Sequence, residues 1–368
     1  MVSIKKIKLS ELEEFVNSDF FKGLKNKPIS KIRANSYTEN PRANKNDFVL
    51  YMAFLENELV SYRTILSDIF FVEKKPFSFG WLSGNWVSEK HRRKGISTLL
   101  FKEVFKDWNG KLMYTNYAEA SKFVYDKTNK FSLLKELKGT KYYMRFCLAD
   151  ILPKKRNVFK KIKPFLVFFD AFLNLILDFI NLFKNQAKEN DFRVILNEDW
   201  GNSILNFEDS FTSGNLFQRG EKEFNWIQKN PWILSDNYTK RASKEYHFSS
   251  YAKQFNSKLY TIYNNENSLV GFVFLTIRNG HVKIPYSHFL KKDHKKIAAF
   301  IVDNCKNIKA KTIVVYNNNL EKELNKKLPS IIKKEFLQKY FTTKELEKSL
   351  VNKENCKLQS GDGDVVFT

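Results

Sequence analysis

A strand, a basic turn and a helix follow one another in residues 77–108, and this succession constrains the fold more than any other part of the sequence. Residues 77–88 (FSFGWLSGNWVS) are rich in aromatic side chains and predict a β-strand. Gly80 and Gly84 within it predict a bulge or a close approach of another group to the backbone. Apolar residues at helical spacing then predict a helix over 96–108.

The turn between these two elements carries a run of cations, His91-Arg92-Arg93-Lys94, next to Gly95. A helix N-terminus presents unpaired backbone N–H groups and the positive end of the helix dipole, so it favours phosphate groups. Gly95 lets a ligand approach the backbone because it has no Cβ. The turn is therefore a candidate cradle for a diphosphate. The alternative is an ordinary basic helix start that holds no ligand.

The segments on either side complete a layer of strands and helices. Residues 48–74 predict two strands joined by a turn at 56–58, and residues 112–116 predict a further strand. A helix over 119–128 and closing strands over 131–148 follow. This order indicates an α+β fold, in which a mixed, mostly antiparallel sheet is flanked by helices.

The second half of the chain repeats this order weakly. Residues 260–275 parallel residues 51–66, since both carry Glu-Asn-x-Leu-Val across a turn. The later matches are 281–289 with the strand 77–88, 297–307 with the helix 96–108, and 312–319 with the strand 112–116. The repeat predicts two lobes of one fold. We place the domains at 1–150 and 191–368, with a linker segment at 151–190.

The linker segment combines a basic stretch, 153–163 (PKKRNVFKKIK), with an apolar helix predicted over 165–183. The polar residues of this amphipathic helix fall in one narrow stripe: Asp170, Asn174, Asp178, Asn181 and Asn185. Aspartates at its centre make a membrane-crossing helix unfavourable. Two interpretations remain. The helix packs between the two lobes, or it lies on an anionic membrane with the preceding lysines at the head groups.

Composition limits the function further. The net charge of +23 favours anionic partners, but no zinc-finger spacing or RNA-binding aromatic motif supports nucleic-acid binding. Three scattered cysteines without a CxxC pair indicate no disulfide framework, and the spacing of His281, His288 and His294 predicts no metal site. Because the N-terminus shows no apolar secretion segment, we expect a cytoplasmic protein, or one bound peripherally at the inner membrane face.

The motif around the basic turn resembles that of a known family. Val87-Ser-Glu-Lys-His-Arg-Arg-Lys-Gly-Ile-Ser97 is similar to the acetyl-CoA-binding motif of the GNAT (GCN5-related) N-acetyltransferase superfamily. That motif has a valine at a strand end and then Arg/Gln-x-x-Gly-x-Gly/Ala at a helix start. Arg92 and Gly95 match it, and Ser97 replaces the last small residue. The resemblance covers residues 1–148. It implies an acyl-CoA-dependent N-acyltransferase, with acetyl-CoA as the expected co-substrate and a primary amine as acceptor.

The resemblance also implies roles for individual residues. Backbone amides of residues 93–98 hold the CoA diphosphate, and the end of the preceding strand pairs with the pantetheine amides. The cofactor-binding residues are then Gly84, Asn85, Trp86, Val87, Arg92, Arg93, Lys94, Gly95, Ile96, Ser97 and Thr98. Asn116 bonds the cofactor arm or a bound water, and Tyr125 donates a proton to the leaving thiolate. From Tyr125 to Phe131 the chain is one residue longer than the family's Tyr-x-Lys-x-Gly-Phe and lacks its glycine.

The sequence does not assign a general base. An amine with an ordinary pKa is mostly protonated at neutral pH, so a carboxylate near the acceptor, acting directly or through water, would help the reaction. The candidates are Glu56, Glu58, Asp68, Glu89 and Glu119. Glu89 suits an ion pair with a cation of the turn equally well.

The second lobe lacks the features of the turn in the first. Its corresponding stretch, LKKDHKK, has no glycine; Asp293 aligns with Arg92 and Lys296 with Gly95. This predicts a degenerate lobe that shapes the acceptor site, with 224–234 (FNWIQKNPWIL) as a candidate lining. We expect a small-molecule or sugar amine as acceptor, and the positive charge favours an anionic one. The alternative function is a non-catalytic scaffold at an anionic membrane surface.

Overall fold

The structure is a computed structural model that describes two compact units. It covers residues 1–115, 119–182, 192–201, 204, 207, 211, 214–235, 245–248, 250–350 and 356–368, with the backbone alone for 119–122 and 181–182. The first unit is formed by residues 1–137, 198–255 and 337–368. The second is formed by residues 138–197 and 256–336. Neither unit is a continuous stretch of the chain.

A mixed sheet forms the centre of the first unit. In spatial order its strands are β1 (Val2–Lys8), β2 (Phe48–Leu55), β3 (Glu58–Val72), β4 (Lys75–Val87), β5 (Leu112–Thr115) and the last part of β14 (Ile332–Thr343). Neighbouring strands are antiparallel except β4 and β5, which are parallel. The β2–β3 turn holds Glu56 and Asn57 in the left-handed region (φ 49° and 66°), as a two-residue hairpin loop requires.

Helices pack against this sheet. They are α1 (Leu9–Asn17), α2 (Asp19–Gly23), α3 (Lys31–Thr38), α4 (Ile96–Asp107), α5 (Glu119–Thr128), α9 (Glu221–Lys229) and α12 (Lys344–Glu347), with 3₁₀ turns at Glu89–His91 and Asp364–Phe367. A short parallel pair, β8 (Leu234–Ser235) and β9 (Tyr251–Ala252), completes the unit. The predicted apolar face of α4 consists of Ile96, Leu99, Leu100, Val104, Phe105 and Trp108. The helix buries Ile96, Leu100 and Val104 of this set, and Phe101 as well, whereas Leu99 is exposed.

The second unit has the same design. The spatial order of its strands is β6 (Phe131–Tyr143), β13 (Thr312–Val315), β12 (His281–Phe289), β11 (Leu269–Arg278), β10 (Phe255–Asn264) and β7 (Phe192–Asn197). Strands β12 and β13 are parallel. The helices are α6 (Leu148–Lys155), α7 (Val158–Lys161), α8 (Lys163–Leu182), α10 (His294–Asn307) and α11 (Asn318–Lys327), with a 3₁₀ turn at Lys291–Asp293.

The internal repeat is visible in this order of elements. A hairpin, a third strand, a 3₁₀ turn, a helix, a strand parallel to the third one, a second helix and a closing strand occur twice, as β2 to β6 and as β10 to β14. The prediction of an α+β fold with two similar lobes joined by an amphipathic helix is confirmed.

The closing strands explain why the compact units differ from the division that we predicted at residues 150 and 190. From Lys138 onwards β6 belongs to the second unit, where Tyr143 pairs with Thr312 of β13. From Leu337 onwards β14 belongs to the first unit, where Tyr340 pairs with Thr115 of β5. The closing strand of each repeat thus completes the compact unit of the other repeat.

Helix α8 belongs to the second unit and presents its apolar side outward from that unit, where Phe168 is 71% and Leu175 is 69% exposed. The polar stripe faces the protein instead, through Asp170, Asn174 and Asp178. Asn185 and the side chain of Asn181 lie outside the described residues.

Candidate functional site

The sheet of the first unit opens where β4 leaves β5. The two strands pair at Gly80 with Leu112 and at Trp81 with Met113. Strand β4 then continues to Val87, and among the described residues no strand pairs with that edge. Residues 84–87, the predicted pantetheine-binding stretch, form this last part of β4. Its backbone donors and acceptors can therefore bind an extended ligand in place of a neighbouring strand.

A β-bulge lies at the start of the open stretch. Thr64 of β3 pairs with Gly84 and Ile65 pairs with Leu82, which leaves Ser83 as the extra residue. A Cβ on Gly84 would lie 2.5 Å from Thr64 Oγ1, so only glycine allows the strands to approach this closely. The predicted bulge or close backbone approach is confirmed.

The basic turn follows directly. After the 3₁₀ turn Glu89–His91, Arg93 and Gly95 both adopt left-handed conformations (φ 64° and 78°), and Gly95 is the N-cap of α4. The backbone N–H groups of residues 93–98 have no hydrogen-bond partner among the described residues. Residues 92–95 are exposed, and the space in front of a Cβ on Gly95 is open for at least 4 Å. The turn thus presents free donors, positive charge and room for an anion.

A buried arginine connects this helix start to Tyr125. Arg63 of β3 is fully buried, and its Nη1 donates a hydrogen bond to Tyr125 Oη at 2.6 Å. Its Nη2 donates to Ser97 Oγ at 3.2 Å. Ser97, where the family motif has Gly or Ala, therefore has a hydroxyl that the buried guanidinium uses. Arg63 has no carboxylate partner among the described residues, and its Nε has no hydrogen-bond partner at all there.

Tyr125 is both a core residue and a polar one. Its ring packs 4.7 Å from Tyr114 and 5.2 Å from Phe131, centroid to centroid. Burial raises the pKa of Tyr125, and the Arg63 guanidinium opposes this only in part. The phenol is therefore protonated at neutral pH. Because Arg63 donates to the phenol oxygen, the hydroxyl proton of Tyr125 is directed away from the guanidinium.

The opposite face of the same strands carries a second polar cluster. Thr64, which follows Arg63 in β3, points to this other face because side chains alternate along a strand. Arg33 of α3 donates from Nη2 to Thr64 Oγ1 at 3.0 Å and to Ser83 Oγ at 2.5 Å, and its guanidinium carbon lies 4.0 Å from the Trp232 ring centroid. Ser83 in turn donates to Asp364. Burial lowers the pKa of Arg33, but neighbouring tyrosines and Asp364 raise it by more, so its charge is retained.

His247 lies on this face at the end of β4. Its ring centroid is 6.5 Å from that of Trp86, which stacks on Tyr62 at 5.2 Å. Partial desolvation, and then the charge of Arg92, hold the pKa of His247 below its usual value, although Glu89 opposes them. His247 is therefore neutral at pH 7 and able to accept a proton.

Comparison with known proteins gives the fold. No protein-family model and no curated protein matches the sequence. Among solved structures, a probable N-acyltransferase of Enterococcus faecalis V583 aligns over 95% of this chain and 74% of its own, with 12% identity and a TM-score of 0.53. Saccharomyces cerevisiae N-myristoyltransferase with bound myristoyl-CoA aligns over 93% and 78%, with 14% identity and a TM-score of 0.51. The chain has the GNAT fold. A GCN5-related N-acetyltransferase from Anabaena variabilis ATCC 29413 also aligns over 93% of this chain and 72% of its own, with 10% identity and a TM-score of 0.49.

The predicted cofactor-binding residues lie on two neighbouring segments of the first unit. Residues 84–87 and 92–98 follow the point where β4 leaves β5, and Tyr125 of α5 is linked to the start of α4 through Arg63. Asn116 lies outside the described residues. Arg63, Arg33 and His247 are missing from the prediction. For Arg63 a signal exists, because it is the one charge in the strand stretch LVSYRTIL. The other two are brought to β4 by distant segments.

Of the carboxylates considered as general base, Asp68 and Glu89 are in ion pairs and Glu56 and Glu58 are exposed. Asp68 is buried between Arg42 (3.3 Å) and Arg219 (2.6 Å). Burial raises the pKa of Asp68, but the two arginines lower it by more, so the net shift is downward. Glu89 is exposed and lies 3.6 Å from Arg92. Glu56 and Glu58 are exposed at the β2–β3 turn. The side chain of Glu119 lies outside the described residues.

The corresponding turn of the second GNAT lobe is shorter. Its 3₁₀ turn ends at Asp293 and helix α10 begins at His294, whereas four residues separate His91 from Ile96 in the first lobe. The predicted alignment of Lys296 with Gly95 keeps the buried faces of the two helices in register, since Ile96, Leu100 and Val104 match Ile297, Ile301 and Cys305. In this register α10 begins three residues earlier than α4, a shift that places Lys296 in its first turn. The prediction that this turn lacks a glycine cradle is unaffected by the shift.

Proposed function

We propose that the protein transfers an acyl group, with acetyl expected, from acyl-CoA to a primary amine. One observation carries this proposal. Strand β4 leaves β5 immediately before a glycine-capped helix whose first backbone N–H groups have no partner among the described residues. A ligand that fits both features has an extended amide-bearing arm joined to a diphosphate. Acyl-CoA has these two parts, and it supplies an activated thioester.

The residues at the open stretch fit the two parts of CoA. Backbone groups of residues 84–87 would bind the pantetheine amides, and the N–H groups of residues 93–98 would bind the diphosphate. The side chains of Arg92, Arg93 and Lys94 are exposed around the same helix start, where they add positive charge. Because these side chains are exposed, water and salt screen their attraction for the ligand, so it adds to the backbone contacts rather than replacing them.

The reaction needs a proton acceptor for the amine and a proton donor for the sulfur. The amine nitrogen attacks the thioester carbonyl carbon, the C–N bond forms, and the C–S bond breaks with its electron pair on sulfur. His247 would accept the proton that the amine loses, since its lowered pKa keeps it neutral at pH 7. Tyr125 would donate a proton to the sulfur, since its raised pKa keeps it protonated. Positioning of the two reactants supplies much of the remaining acceleration.

The acceptor would bind on the face that carries Arg33 and His247. Thr64, Tyr62 and Trp86 share that face of the β3–β4 ladder, opposite Arg63 and Tyr125. The buried Arg33 keeps its charge and is surrounded by hydroxyl groups of this unit. A single buried cation among hydroxyl groups favours an acceptor that carries an anionic or strongly hydrogen-bonding group beside its amine, such as an acidic sugar amine.

Thermal unfolding with acetyl-CoA tests the cofactor site first. At about 100 times the dissociation constant, ligand binding to the folded state stabilises it by roughly 2.7 kcal/mol. The decisive variants are Gly95→Ala and Gly95→Glu. Gly95 has φ 78°, so both variants share a strain of about 1 kcal/mol. Only the glutamate places a negative charge in the open space before the helix.

We expect Gly95→Ala to retain the stabilisation by acetyl-CoA and Gly95→Glu to lose it. Release of free CoA thiol in the presence of a panel of primary amines then identifies the acceptor class. No stabilisation of the wild type by acetyl-CoA or by longer acyl-CoAs, or equal stabilisation of both variants, would refute the cofactor site. The non-catalytic scaffold, which the exposed face of α8 favours, would then be the better description.

A further inference from the structure

Helix α8 is oriented with its polar side inward. Asp170 accepts hydrogen bonds from the backbone N–H groups of Leu148 (2.8 Å) and Ala149 (2.9 Å). One turn later, Asn174 exchanges two hydrogen bonds of 2.9 Å with the backbone of Phe146. These residues lie on successive turns of one stripe, so they fix the rotation of the helix about its axis.

The third contact of the stripe is ionic. Asp178 binds Arg145 through both oxygens, at 2.5 and 3.1 Å, and Lys309 at 3.2 Å. These partners hold the pKa of Asp178 below its usual value, at about 2. Asp170, Asn174 and Asp178 are therefore all bound to their own unit, and the helix cannot turn its apolar side inward without breaking these contacts.

The outward side of α8 is a large exposed apolar surface. We define the outer face as the exposed apolar residues of the helix: Phe165, Val167, Phe168, Phe169, Phe172, Leu175, Ile176, Phe179 and Ile180. Phe168 and Leu175, the most exposed, keep 71% and 69% of their accessible surface. The preceding Val158 and Ile162 are exposed as well. A contiguous patch of this kind marks an interaction site.

The charges beside the outer face identify its partner. Lys154, Lys155, Arg156, Lys160, Lys161 and Lys163 precede it and are all exposed. From residue 154 to residue 180 the acidic residues are Asp170 and Asp178, and both face inward. An apolar helix face with cations at one end is complementary to an anionic bilayer, where phosphates lie above the acyl chains. A second copy of the chain would bring the same cations without an anion.

We propose that the outer face of α8 binds the interface of an anionic lipid bilayer, with the helix parallel to the membrane plane. Among the described residues, no helix combines the length and the apolarity that crossing a bilayer requires. The inward stripe also has its partners in protein, so lipid can cover only one side of the helix. This proposal does not depend on the proposed reaction.

Flotation of the full chain with lipid vesicles tests the proposal. The probes are vesicles of phosphatidylcholine alone and of phosphatidylcholine mixed with phosphatidylglycerol. We expect the protein to float with the mixed vesicles, and to do so at least about tenfold less with phosphatidylcholine alone or at high salt, because the lysines act through screened charge. Replacing Lys160, Lys161 and Lys163 by glutamine should reduce the salt dependence.

The apolar part is tested by the double variant Phe168→Glu/Leu175→Glu. Both side chains are exposed, so the fold should tolerate the change, which circular dichroism checks. Loss of two inserted apolar side chains predicts a binding constant lower by a factor of about 100 or more. The matched control is Ile332→Glu, which changes a side chain of the same unit that is 61% exposed and lies outside the outer face. The control should float like the wild type.

Three results would overturn the proposal. The wild type fails to float with the anionic vesicles, or the double variant floats as well as the control. The third is a wild type that is dimeric by light scattering, shows no flotation, and becomes monomeric in the double variant. That result would make the outer face a contact between two copies of the chain.

Discussion

The substitution Arg63→Met tests whether the buried Arg63 serves the reaction rather than the stability of the fold. Transfer of an unpaired cation to the protein interior costs several kcal/mol. Its Nε, buried without a hydrogen-bond partner among the described residues, adds about 1–3 kcal/mol. The two hydrogen bonds to Tyr125 and Ser97 return about 1.5–3 kcal/mol each. The favourable and unfavourable contributions therefore nearly cancel.

We expect the free energy of unfolding of Arg63→Met to differ from that of the wild type by less than about 2 kcal/mol, in either direction. The control is Arg42→Met. Arg42 is also buried but is paired with Asp68 (3.3 Å) and Glu223 (2.8 Å). Its removal leaves the buried Asp68 and the half-buried Glu223 each short of a partner and should cost about 3–5 kcal/mol. Denaturant unfolding of both variants measures the difference.

Unlike its stability, the activity of Arg63→Met should fall strongly. Without Arg63, Tyr125 loses the donor that orients its hydroxyl, and a general acid contributes about 10²–10⁴-fold to a rate. We expect kcat of Arg63→Met to fall by about 10²-fold, with little change in acetyl-CoA affinity. The positive charge of Arg63 also lowers the pKa of Tyr125, so ultraviolet difference titration should show this pKa rising further in the variant. An Arg63→Met protein that is as unstable as Arg42→Met, or as active as the wild type per folded molecule, would refute the reasoning.

Three further predictions test other parts of the protein. If His247 is the base, the rate should fall at acid pH as its ring becomes protonated, and Arg92→Gln should move this limb to higher pH because it removes a charge that lowers the pKa of His247; histidine NMR titration checks the shift, and an unmoved limb contradicts the assignment. Phe367 is 2% exposed and stacks 4.6 Å from Trp232, so Phe367→Ala should cost about 3–5 kcal/mol in denaturant unfolding, and a loss under about 1 kcal/mol would show that the 3₁₀ turn is dispensable. Isothermal titration should find one CoA per chain, since the second lobe has no glycine turn, and two would show that its helix start also binds.

Local patterns predicted the elements around the site well. The predicted helix 96–108 is observed as Ile96–Asp107, and the helix 119–128 as Glu119–Thr128. The predicted strand 77–88 is observed as Lys75–Val87, with its bulge beside Gly84. These elements were predictable because periodicity and glycine positions act within a few residues.

The sequence did not predict the contacts between segments that are far apart in the chain. The closing strand β14 joins β5 through Tyr340 and Thr115, which are far apart in the chain, and no local signal specifies this choice. No local signal specifies which side chains contact the end of β4 either. Tyr246 bonds Arg33 at 3.2 Å, and His247 reaches Trp86, because a loop from the middle of the chain returns to the first unit. Arg63, on the other face of β3, does have a local signal, because it is a charge in an apolar strand.

The start of helix α10 in the second lobe differs from that of α4 in a way that disfavours phosphate binding. In the first lobe the four residues 92–95 lead away from the 3₁₀ turn and leave the start of α4 open. In the second lobe the corresponding residues 293–296 form the N-cap and first turn of α10 instead, and the N-cap Asp293 is 5% exposed and 3.3 Å from Lys296. A carboxylate at a helix N-terminus is stabilised by the dipole and repels a phosphate at the same place. The Asp293 carboxylate therefore occupies the place at the start of α10 that a phosphate would take. The second repeat keeps the fold but not this binding position.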